Sequence, residues 1–218
     1  MKNHRFPSKL FVSGIDTDAG KSYATGWLAR LINESGGKAM TMKFVQTGNT
    51  DYSEDIITHR KVMGIELTAA DRLHLTAPEI FSYPCSPDLA ARIDKREINL
   101  KLITEAAEQL SRDCDTLLIE GAGGLMVPLK GEYLTIDYVK EHNLPVLLVT
   151  NGSLGSINHT LLSLYALKHY GISLFGVVYN SYFDKDKIIA EDTRNYIKGW
   201  LDHHFKDAVY IEMDSIRI

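Results

Sequence analysis

The sequence predicts a doubly wound α/β fold, a mostly parallel sheet with helices on both faces. Three observations carry that expectation. Short apolar runs alternate along the chain with longer amphipathic segments. Several of the runs are rich in Val, Leu and Ile and apolar on both faces, as strands of a covered parallel sheet are. No internal repeat and no low-complexity stretch interrupts the alternation, which excludes a solenoid.

The elements follow in order. A strand at Leu10–Ser13 leads through a glycine-bounded loop into a helix over Lys21–Glu34. A second strand, Ala39–Lys43, precedes a helix over Glu54–Met63. Pro78, Pro84 and Pro87 punctuate residues 64–99, which read as a partly helical insertion over the carboxyl edge of the sheet. The alternation then resumes with a helix at Leu100–Asp113, a strand at Thr116–Ile119 and a helix at Ile136–His142. It ends with strands at Pro145–Thr150, Leu174–Tyr179 and Ala208–Ile211, and helices at Ile157–Tyr170 and Lys185–His204. No linker composition occurs, so residues 1–218 are expected to form one domain.

Composition narrows the function classes. At 218 residues, 44 % hydrophobic and 24 % charged, the chain can bury a full core without staples. Lys+Arg number 24 against Asp+Glu 28, a net charge of −4 with no basic block, which argues against a nucleic-acid partner. Apolar runs such as Val146-Leu147-Leu148-Val149 are far too short for a membrane span. Pro7, Ser8 and Lys9 interrupt any leader-like apolar stretch, and Cys85 and Cys114 form no paired spacing. A reducing compartment, the cytoplasm, is the expected location.

The strongest local signal is the strand Leu10–Ser13 followed by Gly14-Ile15-Asp16-Thr17-Asp18-Ala19-Gly20-Lys21-Ser22. A strand, a loop ending Gly-Lys-Ser and a helix make the context of a phosphate loop. Its backbone N–H groups and helix N-terminus face phosphates, and Lys21 adds a point charge. Ser22 can give its hydroxyl to Mg²⁺. Five residues separate the glycines here instead of the usual four.

Two further segments converge on the same crevice. Thr116–Ile119 delivers Glu120 at its carboxyl end, followed by Gly121-Ala122-Gly123-Gly124. In open α/β sheets ligands sit outside the carboxyl ends of strands, and a hard cation there needs oxygen ligands such as Glu120 and Ser22. A charged strand end before a glycine turn is the plainer alternative. Lys43-Phe44-Val45-Gln46-Thr47-Gly48 closes the second strand and brings a second ammonium. Alone such a lysine is a solvated flank; beside a phosphate loop it can balance an anionic substrate or developing phosphoryl charge.

Together these segments resemble the dethiobiotin synthetase family, whose phosphate loop reads G-T-D-T-x-x-G-K-T with the same five-residue interval. The family's K-P-V-x-[ST]-G is matched by Lys43–Gly48, and its E-G-A-G-G stands intact at Glu120–Gly124. Ser86-Pro87, Gly155–His159 and Val177–Asn180 are further echoes, so the resemblance runs in order from about residue 10 to 180. It implies a P-loop NTPase-like ligase that uses ATP and Mg²⁺ to build a cyclic urea from 7,8-diaminononanoate and CO₂.

The resemblance also implies roles. Lys43, Lys21 and Thr17 would serve catalysis, and Asp18, Ala19, Gly20, Lys21, Ser22 and Tyr23 would wrap the phosphates. Ser22, Asp55 and Glu120 would hold or orient Mg²⁺, with Glu54 a rival to Asp55. Gly121, Ala122 and Gly123 would border the nucleotide, and Asn180 with Ser181 would meet the adenine. Thr47 and Lys43 would contact the diamine or carbamate. Leu154, Gly155, Ser156 and Asn158 would hold the substrate carboxylate across a homodimer; by composition alone Ser156 is equally a plain helix cap.

Three departures stand out. Phe44 replaces the family's proline, Asp88 stands where a His often follows Ser-Pro, and G-E-I-P has no counterpart in Tyr210–Ile218. The nucleotide base and the amine that is carboxylated stay open. His203-His204 at a helix end suit the macrodipole, and His159 reads as packing or capping. A partition-type ATPase switch and a small-molecule kinase are the alternatives. The switch proteins carry an extra lysine early in the loop, where this chain has Ile15 and Asp16.

Overall fold

A computed structural model of the chain describes residues 5–216; Met1–His4, Arg217 and Ile218 lie outside the described residues, including the ends of the leader and adenine-segment readings. The elements, in chain order, begin β1 (Lys9–Gly14), α1 (Lys21–Glu34), β2 (Ala39–Lys43), β3 (Gln46–Thr47) and α2 (Glu54–Met63). Next come α3 (Ala69–Arg72), β4 (Ile80–Phe81), α4 (Pro87–Ile93), α5 (Leu100–Ser111) and β5 (Thr116–Glu120). Then follow β6 (Pro128–Lys130), β7 (Tyr133–Leu134), α6 (Thr135–Glu141), β8 (Val146–Asn151) and α7 (Ser156–Tyr170). The chain closes with β9 (Leu174–Asn180), a 3₁₀ turn at Ser181–Phe183, α8 (Lys187–His204) and β10 (Val209–Met213).

Six of the strands form one parallel sheet in the order β10-β9-β8-β1-β5-β2. Strand order reverses beside β1, which opens a crevice at the carboxyl ends of β1 and β5. β1, β5 and β8 are buried along nearly their whole length, as their unbroken apolar patterns require. Each face carries its own core. Phe11, Met42, Phe44, Leu117, Leu148 and Val177 pack beneath helices that include α5, α6 and α7. Leu10, Val12, Leu118, Leu147 and Val178 pack against Ala24, Leu28 and Ile32 of α1. Burying a side chain such as Phe11 fully contributes about 1.5–3 kcal/mol.

The expected elements match the observed ones within a residue or two at their ends. β10 runs on to Met213, two residues past the predicted stop at Ile211. The insertion holds α3, β4 and α4, and β4 pairs in parallel with β3 where the chain leaves β2. That pair and the antiparallel β6–β7 ribbon are too short to leave an apolar signature. Phe44, in place of the family's proline, is buried between Phe11 and Tyr138. Its N–H donates to the Glu120 carbonyl at 2.8 Å, a bond that proline could not make.

Candidate active site

The phosphate loop turns at Gly20, whose φ of 88° is left-handed and favours glycine. A Cβ there would collide with the Asn180 side-chain amide. Gly20 caps α1 with no side-chain bond, so the first N–H groups of that helix face the crevice. Lys21 is buried, and its ammonium donates to the carbonyls of Asp16 and Thr17 at 2.8 and 3.1 Å. Burial, reinforced by the nearby Lys43 charge, lowers its pKa to about 8.

Strand register does the rest. Lys43 is the last residue of β2 and Glu120 the last of β5, and the ladder sets them side by side. The Lys43 ammonium lies 2.9 Å from Glu120 Oε1 and 2.5 Å from Asp55 Oδ2, and also donates to the Gly121 carbonyl at 3.1 Å. Ser22 Oγ lies 2.8 Å from Asp55 Oδ1 and 3.0 Å from Glu120 Oε1. Burial opposes the charge of both Lys43 and Glu120, but their mutual attraction outweighs it. The ammonium pKa is raised, and the Glu120 carboxyl, further held by Lys43 and His59, falls well below the usual range.

Asp55 rather than its rival Glu54 reaches this cluster. It stands in the first turn of α2, after Ser53 accepts the Ile56 N–H as N-cap. Asp55, Glu120 and Ser22 put carboxylate and hydroxyl oxygens around one point, the donor chemistry a hard cation takes. Among the described residues no group of three or more His, Cys, Asp or Glu side chains is placed to hold a metal.

A cleft of about 730 Å³ opens over these groups. It is lined by Thr17, Asp18, Gly20, Lys21, Ser22, Tyr23, Lys43, Thr47, Asp55, Glu120, Ala122, Gly123 and Asn180, all expected from the sequence. Ala19 and Gly121 contribute through their backbones: the Ala19 carbonyl accepts from Asn180 Nδ2 at 3.2 Å, and that of Gly121 accepts from Lys43. The Asn180 amide also accepts the Tyr182 N–H, so it ties the phosphate loop to the turn after β9. Ser181 turns away from the cleft, its hydroxyl donating to the Met213 carbonyl at 2.9 Å. Leu154, Gly155, Ser156 and Asn158 lie outside this cleft, at the start of α7.

Several lining residues escape a reading of the sequence. Tyr182, Phe183, Met213 and Ile216 wall the cleft beyond Asn180 without a family-like segment to mark them. His59 is wholly buried, and its Nε2 lies 2.5 Å from Glu120 Oε2. It sits four residues after Asp55 on α2, and that helical spacing was the available signal.

Comparison with known proteins gives the family and the fold. A family model described as an AAA domain matches residues 8–203. The chain is 44 % identical over 209 residues to ATP-dependent dethiobiotin synthetase BioD 2 of Pasteurella multocida (strain Pm70), covering 96 % of this chain and 98 % of that one. It is 45 % identical to ATP-dependent dethiobiotin synthetase BioD of Chlorobaculum tepidum, covering 94 % and 87 %. Among solved structures, a ParA family ATPase from Chlorobium tepidum TLS matches with a TM-score of 0.54 at 14 % identity, over 98 % of this chain and 86 % of that one. The signal recognition particle receptor FtsY from Elizabethkingia anophelis matches with a TM-score of 0.52 at 16 % identity, and the chain spans 60 % of it. Those two likenesses show the fold. With the phosphate loop, the paired lysines and near-full-length identity in hand, the chain belongs to the AAA domain family and, within it, to the ATP-dependent dethiobiotin synthetases.

Proposed function

We propose that this protein closes the cyclic urea of dethiobiotin from 7,8-diaminononanoate, CO₂ and ATP. One observation supports it above the rest: Lys21, Lys43, Ser22, Asp55 and Glu120 converge on one cleft. Carbamate and triphosphate are both anionic, so their approach needs cations held in place beforehand.

One amine of the substrate adds to CO₂ and loses a proton, giving a carbamate. A carbamate oxygen attacks the γ-phosphorus of ATP and ADP leaves, giving a carbamic–phosphoric anhydride. The second amine attacks the carbamate carbon, inorganic phosphate departs and the ring closes. Lys43 neutralises the carbamate and then the phosphoryl oxygens, and Lys21 with the α1 N-terminus neutralises the phosphate chain. Thr47 and Thr17 orient the amine end. Ser22, Asp55 and Glu120 would hold Mg²⁺, which would supply charge neutralisation to the phosphate chain. Asp18 to Tyr23 wrap the phosphates, Ala122 and Gly123 border them, and Asn180 positions the loop.

The substrate carboxylate is assigned to the start of α7, in a second copy of the chain. Gly155 caps that 15-residue helix at φ 95°, and the buried Ser156 hydroxyl has no hydrogen-bond partner. Leu154, Leu162, Tyr165, Ile188 and Tyr196, on and beside α7 and α8, are exposed apolar or aromatic side chains that a homodimer contact would cover. The reading takes residues 1–218 as one catalytic domain working in the cytoplasm. No helix among the described residues is long and apolar enough to cross a membrane.

The test is incubation with ATP, Mg²⁺, bicarbonate and the diamine. A cyclic urea should be found by mass spectrometry, with phosphate release requiring both diamine and CO₂. Phosphate release indifferent to both would overturn the reading.

A further inference from the structure

Behind the carboxylates of the cleft runs a file of buried polar side chains that the chemistry does not use. Thr41 and His59 are wholly buried, and Arg60 and Asp71 nearly so. His59 Nε2 lies 2.5 Å from Glu120 Oε2, and His59 Nδ1 lies 3.0 Å from Thr41 Oγ1. Arg60 donates to the same Thr41 oxygen at 2.7 Å. Arg60 is fixed in turn by Asp71, which accepts two bonds from its guanidinium at 2.8 Å each. Thr68 and Thr76 donate to Asp71 as well, anchoring it in the insertion.

Donor and acceptor capacities give this file a direction. A guanidinium can only donate, so Thr41 Oγ1 accepts from Arg60. The hydroxyl's own proton then has His59 Nδ1 as its acceptor, and His59 must donate through Nε2 to the Glu120 carboxylate. Every member is satisfied only in the order Arg60 to Thr41 to His59 to Glu120. Such a chain is costly to bury unless complete, and complete chains fix geometry.

We infer that His59, oriented by Arg60 through Thr41, is a positioning residue that holds Glu120 Oε2 so that Oε1 alone faces the nucleotide-bound cation. In the structure Oε1 is indeed the oxygen that meets Ser22 and Lys43. The inference rests on the proposed role of Glu120 as a cation ligand. Partners that orient a metal ligand in this way are worth about 10- to 100-fold in metal affinity.

The experiment measures Mn²⁺ binding by electron paramagnetic resonance, with the protein saturated by a non-hydrolysable ATP analogue. His59→Leu should weaken Mn²⁺ binding about 10- to 100-fold, and Thr41→Val by a smaller factor in the same direction. His59→Gln, which keeps a donor and an acceptor, and Thr41→Ser should both stay close to the parent. Nitrogen NMR of His59 should show the proton on Nε2 and none on Nδ1. Where His59→Leu does not fold, Thr41→Val against Thr41→Ser carries the same comparison. Glu120→Gln separates the two layers of the inference. If it weakens Mn²⁺ binding while His59→Leu and Thr41→Val do not, the positioning role is overturned. If Glu120→Gln binds Mn²⁺ like the parent, the cation-ligand reading fails and the positioning role fails with it. A proton on Nδ1 would also overturn the assignment.

Discussion

Ser22 and Glu120 stand 98 positions apart in the chain, and the serine hydroxyl lies 3.0 Å from the carboxylate Oε1. One residue opens α1 and the other closes β5, so the contact joins the phosphate loop to the central sheet at the strand-order reversal. The same hydroxyl lies 2.8 Å from Asp55 Oδ1, which adds α2. Three separate elements thus bring side-chain oxygens to one point, and Lys43 supplies the positive charge that keeps the two carboxylates together.

That balance predicts the behaviour of Lys43→Gln. Turnover should fall by about 10²–10³-fold, the usual loss when an electrostatic stabiliser is removed, while ATP affinity changes little. The variant also leaves Asp55 and Glu120 facing each other without the ammonium. Breaking a buried pair costs roughly 3–5 kcal/mol, so the metal-free variant should melt well below the parent. Added Mg²⁺ should raise its melting temperature more than it raises that of the parent. Equal shifts in a thermal melt, or a large loss of ATP binding in a titration, would contradict the arrangement.

Gly20→Ala tests the loop. The left-handed φ and the collision with Asn180 are separate penalties. Backbone strain of this kind costs about 1–3 kcal/mol, and the clash should push the loop off its phosphate-binding shape. ATP affinity should drop at least tenfold. The double variant Gly20→Ala with Asn180→Ala should recover the steric part and leave the backbone part, measured by ATP titration and urea denaturation. Full recovery would show that φ carries no cost.

The alternation of apolar runs made the sheet and its flanking helices legible, because burial on both faces leaves a continuous pattern. Lys21, Lys43 and Glu120 were legible for a related reason: each sits at a boundary where a strand or loop ends at the crevice. His59 and Arg60 were not. The i, i+4 spacing puts His59 on the same side of α2 as Asp55, but inside α2 His59 and Arg60 both look like ordinary members of an amphipathic helix, and the packing of α2 on α1 and β2 is what buries them. Gly26 admits that packing, since a Cβ on it would lie 3.0 Å from the His59 backbone. Phe183 and Met213 belong to a turn and a strand end whose nearness to the loop is set by tertiary structure alone.

Asp71 predicts a pH dependence of stability. Burial opposes its charge, but the Arg60 hydrogen bonds, helped by Thr76 and Thr68, lower its pKa from 3.8 to about 2. A carboxyl whose pKa is depressed by folding contributes stability above its unfolded pKa and loses it as pH falls through the folded one. The contribution is about 2 kcal/mol, present at neutral pH and lost between about pH 4 and pH 2. Asp71→Asn should be destabilised by roughly 3–5 kcal/mol at pH 7, since Arg60 keeps a buried charge. The gap to the parent in urea denaturation should narrow below about pH 4. A gap independent of pH would contradict the assignment.

Ser156 separates binding from stability at the start of α7. Its hydroxyl is buried without a partner, so the folded chain carries the desolvation cost of that group for no internal bond. Ser156→Ala should therefore leave stability unchanged or raise it by about 1 kcal/mol. If the hydroxyl and the helix N-terminus receive the substrate carboxylate, the same change should raise KM for the diamine about tenfold and leave KM for ATP as it was, because α7 lies outside the nucleotide cleft. Steady-state kinetics with each substrate varied in turn reads both constants, and a urea titration reads the stability. An unchanged KM for the diamine would remove Ser156 from the substrate site, and a loss of stability would mean that the hydroxyl already has a partner in solution.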